Sequence, residues 1–240
     1  MIFARILIYL SMATAAVFIL SGYGYQWGIW ELGTGFMLLR YSAYTAIGLT
    51  VISIPAIWFY WGKGFRATSY AVISLILMGS ATGTALYWQQ QARSVPAIHD
   101  ITTDLENPPD FVAMVRLRED APNPPEYAGE ETAAAQREAY AHIEPLYIQR
   151  DLQEVMDEAV LLVISRGWDL VAINRNEGRI EATEKLAWFG FKDDVVLRFT
   201  ETDRGTRVDM RSKSRIGRSD VGVNAKRIDR FLRDLETSAG

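Results

Sequence analysis

Four groupings of side chains in this sequence have the types that chemistry would need. The adjacent pair Asp193-Asp194 supplies two carboxylates for acid–base work. Neighbouring residues of a strand point to opposite faces, so the two can share a substrate only where the segment bulges or loops out; a solvated strand entry is the plainer reading. His99 with Asp100, Asp104 and Glu106 brings metal-capable donors together, yet the spacing fits neither a zinc motif nor an EF-hand loop, and no metal is expected. Ser212, Ser214 and Ser219 have no histidine nearby in sequence, and Gly217 and Gly222 around Ser219 make neither a nucleophile elbow nor a P-loop. His142 ends an acidic helical stretch, where a cation suits the helix dipole. The fourth grouping is Met210 to Ile228, with basic Arg211, Lys213, Arg215, Arg218, Lys226 and Arg227 against the single acid Asp220. It reads as a nucleic-acid patch, an anion site or the solvated side of a strand running into a helix.

The elements that must position these groups divide sharply in composition. Residues 1 to 91 hold five charged side chains (Arg5, Glu31, Arg40, Lys63, Arg66), whereas residues 92 to 240 hold 21 basic and 28 acidic ones. The first part contains three apolar runs, Ile2 to Gly22, Leu38 to Trp61 and Thr68 to Trp88, each long enough as a helix to cross a hydrocarbon layer of roughly 30 Å. Three transmembrane helices are expected within residues 1–91. A cleaved signal peptide is the rival for the first run, but that run exceeds the usual length and leads into two more.

Lysine and arginine stay on the cytoplasmic side of short loops, which places Arg5, Lys63 and Arg66 inside. The third span then delivers the rest of the chain to the outer side. Arg40 dissents and would have to snorkel to the outer interface. The expected location is a bacterial inner membrane, multi-pass, with a cytoplasmic N-terminus and a periplasmic C-terminal domain. A domain there meets lipid rather than nucleic acid, and the net charge of −7 over residues 92–240 also speaks against nucleic acid. The absence of cysteine excludes a thiolate nucleophile and disulfides. No cofactor is expected.

Six of the eight prolines fall between Pro96 and Pro125, so residues 92–128 read as an extended proline-rich strap, with Ile98, Ile101, Phe111, Val112 and Val115 available to dock. From residue 129 onward helices are expected over Glu130–His142, Asp151–Arg166 and Asp220 to about Glu236, the last capped by Ser219 or Asp220. Strands are expected over Trp168–Asn174, Arg179–Lys185, Phe191–Thr202 and Thr206–Arg215. This makes an α+β domain: a four-stranded antiparallel sheet backed by helices.

A hairpin loop at Arg204-Gly205 would put Arg215 opposite Asp194 and Arg198 opposite Arg211, with Val195, Leu197, Phe199, Val208 and Met210 under the helices. Two opposed arginines are unfavourable unless something negative intervenes. Either Asp209 serves, giving an internally paired solvated face, or Arg198, Arg211 and Arg215 hold an anion such as a lipid headgroup or a polymer carboxylate. In the third span Gly79-x-x-x-Gly83 lets helix backbones approach closely, within the bundle or against another subunit.

The segments WFGFKDDVVLRF and VDMRSKSRIGRSDVGVNAKRI resemble the domain of unknown function family numbered 1499, found in bacteria and plant plastids. The resemblance runs from about His99 to Leu235. It is carried by Phe191, Asp193, Asp194, Asp209, Arg211, Ser212, Ser214, Arg215, Gly217, Asp220, Gly222, Asn224 and Arg227. The Pro-Asn-Cys segment of many members is represented here by Asn107-Pro108-Pro109, without cysteine. The resemblance implies a domain and no activity.

The functional expectation is a membrane-anchored binding or assembly module of the cell envelope. Its partners would be membrane lipids, a membrane protein or a second copy met through the third span, and an anionic envelope ligand. The alternative is an envelope hydrolase with Asp193 or Asp194 as base and an arginine clamp.

Overall fold

The computed structural model describes residues 1–239 and divides into two units, Met1–Gln90 with Ala187–Gly190, and the remainder. In the first unit three helices, α1 (Ile2–Gln26), α2 (Leu32–Tyr60) and α3 (Phe65–Ser94, its end entering the second unit), are long and apolar enough to cross a membrane. They outrun the apolar stretches because polar but helix-compatible residues such as Gln89 to Arg93 extend the backbone hydrogen bonding beyond the hydrophobic part. Ala46, Ala71, Met78 and Leu7 are buried at the helix contacts, and small residues there allow close approach. Thr50 and Thr82 hydroxyls lie 3.1 Å apart and join α2 to α3. The tetrapeptide Ala187–Gly190 packs into this unit: Trp188 Nε1 donates to the Ile19 carbonyl at 2.8 Å, and its ring meets Phe18.

The second unit holds an antiparallel sheet of six strands, not the four expected. The four expected strands are present as β3 (Asp169–Asn174), β4 (Arg179–Lys185), β5 (Lys192–Thr202) and β6 (Gly205–Ser214). The additional ones, β1 (Asp100–Thr102) and β2 (Leu146–Ile148), have three residues each, too short to show a period-2 pattern. Both pair with the outer edge of β6, β1 along residues 211–213 and β2 along 206–208, and so cover an edge that would otherwise be free to pair with another chain.

Helices α4 (Glu130–Ala139), α5 (Leu152–Ser165) and α6 (Val223–Ala239) complete the domain, with a 3-10 helix over Ala113–Arg118. Asp151 caps α5, accepting from Gln153 N at 2.8 Å. Asp220 accepts from the Gly222 and Asn224 amides at the start of α6, in place of the first-turn partners a helix lacks. Val155, Ala159 and Val163 of α5 and Ile228, Phe231 and Leu235 of α6 bury against Val195, Leu197, Phe199, Val208 and Met210. Each large apolar side chain buried in this way contributes roughly 1.5–3 kcal/mol.

The β5–β6 register differs from expectation by two residues. Thr202 pairs with Gly205, so the turn is Asp203-Arg204, and Asp194 lies opposite Lys213 while Arg198 lies opposite Asp209. Gly205 begins β6 because its φ is +95°, and a Cβ there would stand 2.3 Å from the Ile148 carbonyl of β2. A shift of two leaves every side chain on its expected face, and it removes the opposed arginine pair.

Candidate functional site

The face of the sheet away from α5 and α6 is not solvated. The strap lies across it, with Phe111 and Met114 packed on Val196. Glu181 of β4, fully buried, accepts from the backbone amides of Val112, Ala113 and Met114 and from Arg179 Nε. One carboxylate thus satisfies the N-terminus of the 3-10 helix and pins the strap to the sheet.

Three ion networks follow along this face. Arg118, from the end of the 3-10 helix, reaches Asp194 at 2.6 Å, and Arg215 reaches the same carboxylate at 2.8 and 2.9 Å. Arg211 makes a two-point contact with Asp100 at 2.9 Å on both arms and spends further donors on the Pro109 and Pro125 carbonyls. Lys213 joins Asp100 at 3.1 Å. Arg198 and Arg207 share Asp104 and Asp209. Burial pulls the Lys213 ammonium below its ordinary value, with Asp100 restoring part of it. Burial likewise lowers the Arg118 guanidinium against the raising effect of Asp194.

The helix-covered face carries a separate polar cluster. Asn224 of α6 accepts from Ser212 Oγ at 2.7 Å and donates to Ser214 Oγ and the His99 carbonyl. Arg227, one turn along, reaches Asp193 at 2.6 Å, Ser212 Oγ at 2.9 Å and Glu184. Burial raises the Asp220 carboxyl above the ordinary carboxylate range, partly offset by the Asn224 and Gly222 amides.

Asp193 and Asp194 therefore point to opposite faces of a regular ladder, each buried and each held by arginine. Asp193, Ser212, Ser214, Asp220, Asn224 and Arg227 meet on the α6 side. Asp194, Asp209, Arg198, Arg211 and Arg215 lie under the strap, in contact with its own residues. Sequence reasoning missed Asp100, Arg118 and Glu181 as members of these networks. Their partners lie 111, 76 and 67 to 69 residues away in the chain, and no local pattern signals such pairings. Asp100 and Asp104, grouped with His99 as possible metal donors, serve different cations, and no cluster of three metal-capable residues occurs among the described residues.

The profile of the family described as Protein of unknown function (DUF1499) matches residues 100–235. The chain belongs to that family. The DUF1499 segment begins at Asp100, the buried carboxylate of β1, and ends at Leu235 in the α6 core. It therefore includes the strap from Asp100 onward as well as the sheet and most of the helical part, and the charged side chains of both polar clusters lie within it. A search of curated proteins found no match.

In α3, Gly79 and Gly83 face open space: beyond the adjoining residues and backbone of their own helix, a Cβ added at either meets nothing within 4 Å.

Proposed function

We propose that the chain is a membrane-anchored binding and assembly module of the bacterial cell envelope. Its three helices cross the inner membrane with the N-terminus in the cytoplasm, and its DUF1499 domain sits in the periplasm. The observation that carries this reading is the open face at Gly79 and Gly83 of α3, in a helix long and apolar enough for a bilayer. Small residues spaced i, i+4 let a second helix approach closely, and within its own bundle the chain makes no use of them there. The basic residues Arg5, Lys63 and Arg66 supply the orientation.

A hydrolase would need a carboxylate free to take a proton. Asp193 is held by Arg227 and Asp194 by Arg118 and Arg215, with both carboxylates withdrawn from water, so the polar clusters support a role in building the domain instead. Arg198 and Arg215 keep part of their side chains at the surface, and an anionic envelope ligand would meet the domain there or at another cationic opening.

Purification of the full chain from native membranes in mild detergent tests the proposal. A stoichiometric membrane partner or a second copy should co-purify, and Gly79→Leu with Gly83→Leu should release it while the fold persists, because both positions open outward from the bundle, with no neighbouring side chain within 4 Å of an added Cβ. Recovery of a lone chain, unaffected by these substitutions, would overturn it.

A further inference from the structure

A cavity of the DUF1499 domain lies between the start of α6 and the end of β4, about 430 Å³ in volume, a size suited to a small ligand group. Its floor is apolar, made by Trp168, Leu186 and Val223. Its charged lining is Arg166, Lys226, Arg227 and Arg230 against Glu184 and Asp234. Both carboxylates are already neutralised, Glu184 by Arg227 and Asp234 by Arg166. Arg166 is held further by stacking over the Phe231 and Trp168 rings at 4.8 and 5.4 Å. Lys226 and Arg230 remain, one turn apart on α6 and exposed. Among the described residues neither side chain has an ion pair or hydrogen bond. Two like charges at i, i+4 repel, and an anion between them removes that cost.

We propose that this cavity binds a phosphate group that carries an apolar substituent, the headgroup region of an anionic phospholipid, with Lys226 and Arg230 on the phosphate and Trp168, Leu186 and Val223 against the first methylenes. A cationic rim over an apolar floor suits such an amphiphile better than a free inorganic anion, which gains nothing from the floor. Chain continuity favours lipid as the source. Leu186 is bonded to Ala187, the first residue of the tetrapeptide whose Trp188 and Phe189 pack among α1 and α2, Phe189 lying 5.2 Å from Phe36. Under the membrane reading on which this inference rests, those helices stand in the bilayer.

The test is native mass spectrometry of the full detergent-purified chain with added phosphatidylglycerol, phosphatidylcholine or inorganic phosphate, for wild type and for Lys226→Gln with Arg230→Gln. Arg116→Gln, an exposed site on the strap, is the charge control. Phosphatidylglycerol should bind wild type and the control alike, and the double variant about tenfold or more weaker, the loss of two charge-assisted contacts. Excess inorganic phosphate should fail to displace the lipid. Equal lipid binding by wild type and double variant would overturn the site, and displacement by inorganic phosphate would overturn the lipid assignment. Should the double variant melt early, the single variants carry the same readout. Extraction of the chain from membranes by alkaline carbonate alone would instead sink the membrane reading, a failure visible before any lipid is added.

Discussion

Arg118 Nη1 stands 2.6 Å from Asp194 Oδ2, with neither side chain exposed, although 76 residues separate them in the chain. The arginine comes from the strap and the aspartate from the middle of the sheet, so the contact joins two segments that local sequence treats as unrelated. Arg215 completes the group from β6. A buried pair of this kind contributes little net stability compared with well-packed apolar residues, yet removing one partner strands the other.

Arg118→Met should therefore lower stability by about 2 kcal/mol or more, less than a fully orphaned charge would cost because Arg215 still holds Asp194. Combining it with Asp194→Leu should cost less than the sum of the two single changes. Thermal unfolding of the full chain in detergent reads both; strict additivity would show that the pair is not coupled.

Glu181→Ala leaves three backbone amides of the 3-10 helix without an acceptor, at a cost of about 2–4 kcal/mol. The strap should become a site of proteolytic cleavage between Leu105 and Ala128 while the sheet core stays resistant. Glu181→Gln keeps the shape and part of the acceptor capacity and should be cleaved far less. Equal resistance in both variants would mean that the apolar contacts of Phe111 and Met114 hold the strap unaided.

Burial pulls the His99 imidazole below its ordinary value of 6.5, and the Arg218 carbonyl restores only part of this. The unfolded chain then binds the proton more readily than the folded one, so stability is full above 6.5 and falls as pH drops from there toward the lower folded value. Asp220, raised by burial, acts in the opposite sense in the carboxylate range below. The melting temperature should fall as pH is lowered from neutral, and His99→Gln should flatten that slope. An unchanged slope in the variant would assign the effect elsewhere.

A reporter active only outside the cytoplasm, fused after Gly240, should be active, and a cytoplasmic reporter at the same point should be silent. The reverse result would invert the topology inferred from Arg5, Lys63 and Arg66, and would readmit nucleic acid as a partner.

The sequence by itself determined the three apolar helices, the four longer strands, α5 and α6, because hydrophobic periodicity and chain breakers are local signals that the solvent reads the same way in any fold. It also determined which side of β5 and β6 meets the helices, since a face is set by alternation alone and survives a register shift of two. Tertiary structure decided what lies on the other side. The face expected to be solvated holds buried arginines because the strap returns across it, and a proline-rich segment shows no period by which to foresee where it docks. Tertiary structure also decided that Arg198 meets Asp209 and Asp104 rather than a second arginine. Gly205 takes a positive φ against the Ile148 carbonyl, and that contact with a three-residue strand 57 positions away sets where the hairpin turns.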